Sequence, residues 1–185
     1  MIKVIIIVIV ALVVPLFFVL TWFVSTHNRL LMLRQRLMAA FSQADAHLTH
    51  RRDLIPDLIE VAKPFMKDTN GTVDALAVAR MEAADAHAQA VKTPLRRSAL
   101  QKLSAAESAL PKLLSEFFLA AETKPELKMK PMYTGLKEDL AQTQKAISNS
   151  VETYNEAVRN YNAACERFPA VVIALPYGFK HAEPL

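Results

Sequence analysis

The side chains best equipped for chemistry crowd into one short stretch, HLTHRRDLIPDLIE, at 47–60. His47 and His50 stand three apart, a spacing at which two imidazoles on one helical face could meet a single ion. Asp53, Asp57 and Glu60 follow at helical spacing and could complete a metal or acid–base cluster, as in a metal-dependent hydrolase. The pattern is thin, however. No HExxH accompanies the histidines, and the Glu-x-x-His pairs of a di-iron bundle are absent. There is no glycine-rich phosphate loop and no GxSxG elbow. His87 and His181 are isolated. The single cysteine, Cys165, excludes an intramolecular disulfide and reads as a buried helix position. Arg51 and Arg52 lie one turn from the acidic group, so ion pairs inside one helix account for the same residues. The structural reading therefore comes first, with no catalytic residue, metal or cofactor assigned. An enzyme with a site near His47, His50, Asp53 and Asp57 is the alternative.

Pro56 complicates the same stretch. It has no N–H to offer the Arg52 carbonyl, and its ring crowds that oxygen. Yet an apolar stripe of Leu30, Leu33, Leu37, Phe41, Ala44, Leu48 and Ile55 resumes beyond it with Leu58, Ala62 and Phe65. One wider step crosses Arg51 and Arg52. The proline thus bends a continuous helix, with Leu54, Ile55 and Leu58 facing the core and Asp53 and Asp57 outward. The freed Arg52 carbonyl needs another partner, such as water or a neighbouring side chain.

Helices must position all of this. Only three glycines occur, and strand signals are absent outside the C-terminal tail. A first helix should run over 26–67 and stop at DTNGT, and a second over 72–91, burying Val73, Leu76, Ala79, Ala83 and Ala86. A third should cover 95–122 with a bend at Pro111, burying Leu100, Leu103, Leu110, Leu113, Phe117 and Ala120. TKPELKMKP reads as a linker. In the fourth, Tyr133, Leu140, Ile147, Tyr154, Tyr161 and Phe168 recur every seven residues, the mark of supercoiled packing. Short connections between such helices give an all-α, antiparallel, partly coiled-coil-like four-helix bundle.

In front of it, Val4 to Val24 contains no charge and would span roughly 32 Å, close to a bilayer's hydrocarbon thickness. That length, and a poor cleavage site, favour a retained anchor over a signal peptide. The chain divides into a transmembrane anchor, 1–25, a helical bundle, 26–168, and a tail, 169–185. Arg29, Arg34 and Arg36 follow the anchor and only Lys3 precedes it, so the large domain is expected in the cytoplasm and the N-terminus outside. Net charge is +4 with no long basic run, which gives no ground for a nucleic-acid partner.

The stretch HNRLLMLRQRLMAAFSQADAHLTHRRDLIPDLIEVAK resembles the signature of the bacterial LemA family. The family's RR-DLIP-L core corresponds to Arg51, Arg52, Asp53, Leu54, Ile55, Pro56 and Leu58. Leu33-Arg34, Ser42-Gln43, Asp45, Ala79-Arg80 and PELK at 125–128 also match, as do the YN pairs at 154 and 161 and the FP and GFK patterns between 168 and 180. His27, Phe41, Ala170-Val171 and Pro111 depart from it. The resemblance implies a membrane-anchored helical bundle of the bacterial inner membrane and supplies no catalytic site.

Helix lengths add an expectation about association. The first and fourth helices would reach roughly 63 and 57 Å, the second and third only about 30 and 42 Å. The membrane-proximal ends of the long pair would then expose Leu30, Leu33, Leu37 and Val158, a surface suited to joining copies of the chain. The tail is expected either at the membrane interface or docked on the base of the bundle. Together these give a membrane-anchored scaffold, with the bilayer, further copies and other membrane proteins as partners.

Overall fold

The computed structural model describes residues 2–66, 68, 70–93, 96–168, 170–174 and 178–185. The expected bounds at 67 and 95, and positions 175–177 of the tail, lie outside the described residues. The described residues contain six helices and no strand: α1 (Ile2–Ala62), α2 (Asn70–Lys92), α3 (Arg97–Glu122), α4 (Pro125–Lys128), α5 (Pro131–Glu166) and α6 (Ala170–Ala174).

α1 is one uninterrupted helix of 61 residues. It runs through Pro56, as the resumed apolar stripe requires, and through Pro15. Its N-terminal part is long and apolar enough to cross a membrane. There the side chains from Leu12 to Leu20 are exposed, and Thr21 satisfies its hydroxyl by donating to the carbonyls of Phe17 and Phe18, each at 3.0 Å. The helix stops at Ala62, short of the expected 67. Pro64 explains the difference: it disfavours helical geometry at Lys63 and cannot donate to Glu60. The chain leaves in a tight turn, with the Phe65 and Met66 amides both donating to the Ala62 carbonyl.

α1 packs along α5, and α2 along α3, with a lesser contact between α1 and α2. The pairings along α1 and α5 are Phe41 with Tyr154, ring centroids 5.7 Å apart, then Arg51 with Gln144, and, just beyond the two helices, Lys130 over the ring of Phe65. Within the expected linker, PELK forms the one-turn helix α4, whose Leu127 is fully buried.

The buried positions follow an alternating three-four step. On α1 the run is Leu37, Phe41, Ala44, Leu48, Arg51, Ile55, Leu58 and Ala62, with Leu30, Ala40 and Arg52 also buried; on α3 it is Leu100, Leu103, Glu107, Leu110, Leu114, Phe117 and Ala121, with Ala99 also buried. Two expectations are corrected by this register. Leu113 and Ala120 are only half-buried, while Leu114 and Ala121 take the core. The phase of α3 is set through Glu107, an inward position that a search for apolar residues passes over. The wider step on α1 is filled by Arg51 in the same way. On α5 the heptad holds at Tyr133, Leu140, Ile147, Tyr154 and Tyr161. It fails at Phe168, which is 83% exposed, because α5 ends at Glu166 and Arg167 turns extended at φ −73°, ψ 134°.

The tail closes the end of the body that adjoins the apolar segment of α1. Phe179, Ala182, Ala170 and Ala174 join Leu30, Leu37, Tyr154, Val158 and Tyr161 in one apolar cluster, with Leu33 half-buried against it. The stripe of Leu30, Leu33, Leu37 and Val158 is therefore covered within a single chain, and the surface expected to join copies is not open. Ala86 and Ala90 of α2 and Leu100 and Leu103 of α3 belong to the same cluster, so the tail completes a cover that the shorter helices begin. Gly178 adopts φ +73°, a left-handed conformation that glycine takes without strain, and the next amide, of Phe179, donates to Ala174 at 2.9 Å.

Candidate functional site

The acids and histidines of the central stretch do not converge. Asp53, Asp57 and His50 are exposed on α1 and His47 is half-buried. Among the described residues no group of three or more His, Cys, Asp or Glu side chains could hold a metal ion. The alternative built on His47, His50, Asp53 and Asp57 finds no support in this geometry.

The arginines do converge, and not on their own helix. Arg51 is 1% exposed and Arg52 4%, and both pair with Glu107 of α3, itself 7% exposed. This corrects the expected ion pairs with Asp53, Asp57 and Glu60. Arg51 Nη2 donates to Glu107 Oε2 at 2.5 Å, and its Nη1 donates to Gln144 Oε1 of α5 at 2.8 Å. Arg52 Nη1 donates to the other carboxylate oxygen, and its Nη2 to Thr49 Oγ1 at 2.8 Å. Three helices are thus tied at one level by charge-assisted bonds. The site lies between two separate apolar clusters, one built around Leu30, Leu103 and Tyr161 and the other around Ile55, Leu76 and Phe117.

Two prolines turn out to belong to this layer. Pro56 frees the Arg52 carbonyl, and Arg80 Nε of α2 donates to it at 3.1 Å. Pro111 lies four residues after Glu107 and frees its carbonyl, which accepts from Arg51 Nη2 at 3.1 Å. Each interrupted backbone ladder is therefore closed by an arginine from another helix. Arg80 brings in the fourth helix. RRDLIP reads, in this light, as a buried connector whose proline creates the acceptor.

The electrostatics are unbalanced, because two buried guanidinium groups share one carboxylate. Burial pulls the Arg51 pKa down from its usual value, against the bond and attraction of Glu107 that push it up, with Arg52 adding to the lowering. Such a layer restricts partners: an apolar side chain opposite it would leave charges unpaired, so it fixes which helices meet and in what register.

Sequence reasoning missed Glu107 and Gln144. The signal for Glu107 was available: an acid at the inward position between Leu103 and Leu110, matched by arginines at the inward step of the first helix. Gln144 carried none, being one polar residue beside the buried Thr143 on α5. A half-buried pair missed as well is His87 Nε2 with Asp45 Oδ1, 2.6 Å apart, joining α2 to α1.

A second construction uses the YN repeat. Asn155 and Asn162 each clasp a backbone amide unit of the tail from both sides. Asn162 Nδ2 donates to the Ala182 carbonyl and its Oδ1 accepts from the Ala182 amide, both at 2.9 Å. Asn155 does the same to Leu185, at 3.1 and 2.9 Å. Seven helical residues advance roughly 10.5 Å and three extended residues about 10 Å, so the heptad spacing matches the spacing of the amides it grips. Tyr154 donates its hydroxyl to the Glu183 carbonyl at 2.8 Å between them. Burial pushes the hydroxyl pKa of Tyr154 to about 12, with Glu183 adding to it, and burial pushes that of Tyr161 to about 12 as well. Cys165 sits buried beside Tyr161, and burial raises its thiol pKa, as befits a packing residue.

These features fall within the region matched by a family-wide sequence model, that of the LemA family, over residues 40–185. The chain belongs to the LemA family. No curated protein matches it. The family match begins inside α1, past its apolar N-terminal segment, and takes in the charged layer, the YN clasp and the tail that the clasp holds. In this LemA protein the two arginines of RRDLIP, and the carbonyl freed by its proline, make contacts between helices.

Proposed function

We propose that this LemA protein is a single-pass membrane scaffold, in which an antiparallel four-helix body stands rigidly on its anchor. The observation that carries the reading is the continuity of α1. The exposed apolar segment before Leu30 and the buried core face after it belong to one helix with no linker between them. A helix exposed and apolar on all sides is suited to lipid, whereas one with a single buried stripe is suited to a bundle. The antiparallel arrangement is supported by the successive pairings of Phe41 with Tyr154, Arg51 with Gln144 and Phe65 with Lys130. A scaffold role is supported by the use made of Arg51 and Arg52, which are spent on joining helices through Glu107 rather than on any open site. Positive charge after the anchor, at Arg29, Arg34 and Arg36, supports a body on the cytoplasmic side.

The test is alkaline extraction of membranes carrying the full chain, followed by protease treatment of sealed vesicles. The protein should stay in the pellet, and its C-terminal body should be digested in inside-out vesicles only. Release by alkali would overturn the anchor, and digestion in right-side-out vesicles would overturn the orientation.

A further inference from the structure

At the membrane-proximal end, the loop before α3 and the docked tail enclose an open cleft of about 590 Å³ against α1. Arg34, Arg96, Arg97, Lys180 and His181 line it, with Met38 and Thr93 beside them. Two carboxylates reach this group: Glu183 is 3.0 Å from Arg97 Nε, and Glu166 is 3.7 Å from His181 Nε2. Among the described residues no ion pair engages Arg34, Arg96 or Lys180. Three elements distant in sequence thus bring cations to one concave place, where like charges repel unless an anion joins them. α3 also begins here, and its cap residue Arg96 makes no side-chain capping bond, so the positive end of a 26-residue helix adds to the field.

We propose that this cleft binds a phosphate-bearing anion, supplied by the headgroup of an acidic phospholipid. The proposal rests on the anchored reading above, because it is the level of the cleft that selects a lipid. Val24 ends the apolar segment, and His27, about 4.5 Å further along the helix, packs edge-on to Phe179 with centroids 5.7 Å apart. Lys180, next in the chain, therefore stands within the headgroup layer, which is roughly 5–8 Å deep on each side of a bilayer. Arg34 begins roughly 15 Å beyond Val24, but helical side chains lean toward the N-terminus, here toward the membrane. On the other flank Trp22, Arg29, Arg167 and the exposed Phe168 line a smaller cavity of about 220 Å³, an apolar-aromatic-basic composition suited to the same layer. Phosphate suits the donor set, since guanidinium forks grip its oxygens in pairs and an ammonium adds a point charge.

The experiment uses the full chain in nanodiscs of phosphatidylcholine mixed with phosphatidylglycerol, released into mild detergent and weighed by native mass spectrometry. The protein should keep phosphatidylglycerol adducts in preference to phosphatidylcholine. R96Q with K180Q, both exposed positions, should lower that preference by roughly tenfold or more, while R96K with K180R should retain it and K145Q should leave it unchanged. Circular dichroism of each variant reports folding separately. Equal adducts in the wild type and the R96Q/K180Q variant would overturn the site. Glycerol 3-phosphate provides the second arm: tight binding of it, lost in R96Q/K180Q and without lipid preference, would keep the phosphate site and overturn the lipid as its source. Alkaline extraction of the same variants distinguishes a failed anchor from a failed headgroup site, since only the former releases protein from the membrane.

Discussion

Glu107 is the single carboxylate that two buried arginines share, and its removal isolates both of them in a region from which water is excluded. Breaking a buried pair by deleting one partner costs about 3–5 kcal/mol, whereas replacing the whole group by apolar residues can be neutral. Glu107→Ala should therefore lower the unfolding free energy of the body by about 3–5 kcal/mol in urea titrations. A triple replacement with Arg51→Met and Arg52→Leu should recover much of that loss. A cost below about 1 kcal/mol for Glu107→Ala would mean that the arginines find water, and that the layer is not closed. The tyrosines give a second expectation, in pH. Their folded pKa values of about 12 lie above the usual 10, so the folded state retains protons that the unfolded chain releases. The stabilising contribution is complete below pH 10 and is lost as pH rises from about 10 to about 12, with a slope of up to about 1.4 kcal/mol per pH unit for each tyrosine. Denaturation midpoints measured across this window should fall, and Tyr161→Phe should flatten the decline. A decline just as steep in that variant would assign it to other groups.

At the scale of elements, a proline and an arginine act as a unit. Pro56 removes the amide that would have bonded the Arg52 carbonyl, and Arg80 replaces it from α2. Arg80→Met should cost about 1–3 kcal/mol in the natural chain, as it leaves a buried carbonyl unsatisfied. In a Pro56→Ala background, where the backbone donor is restored, it should cost markedly less. Additive effects in this double-mutant cycle would show that the two residues are not coupled. This case also marks what the sequence disclosed. The continuity of helix through Pro56 was legible from the apolar stripe, and the need for a replacement donor followed from valence alone. That Arg80 supplies it was not legible, since nothing local indicates which side chain another helix brings near. The end of α1 was misplaced because DTNGT is a strong stop signal, although Pro64 acts earlier. The phase of α3 was misread where a charged residue occupies the core. Phe168 was placed inside because periodicity was carried two residues past the end of its helix. The tail's docking depended on Asn155 and Asn162 matching an extended backbone three residues apart, a relation between two elements that no single-helix pattern contains. Asn155→Ala with Asn162→Ala should release residues 179–185, seen as faster proteolysis of the C-terminus. Once the tail is off, Leu30, Leu37 and Val158 are uncovered, and the same variant should self-associate more strongly in crosslinking through a cysteine at Leu33. A tail equally protected in the variant would mean that Phe179 and Ala182 hold it by burial alone.

On the scale of the whole molecule, the proposed use of one helix as both anchor and core has a mechanical consequence. A body joined to its anchor by a flexible linker samples many orientations, whereas a body joined by unbroken helix keeps one. The proposed headgroup site depends on this, because Lys180 and Arg34 would meet headgroups only while the body stands at a fixed height. Nothing in the sequence between Val24 and Leu37 breaks a helix: there is no glycine or proline, and Leu30, Leu33 and Leu37 keep the stripe in phase. The tail then braces the junction from outside, through Phe179 against His27. Spin labels at Leu20 and Gln35, exposed positions on either side of the junction, test this directly in a Cys165→Ala background. Fifteen residues of straight helix set them roughly 22 Å apart along the axis, and the distance distribution in nanodiscs should be single and narrow. Glycines at Thr26 and His27 should broaden it, since they weaken the helix and remove the His27 ring on which Phe179 rests. A distribution already broad in the natural sequence would place a hinge at the membrane surface, and a body moving on that hinge could not hold a headgroup between its tail and its first helix.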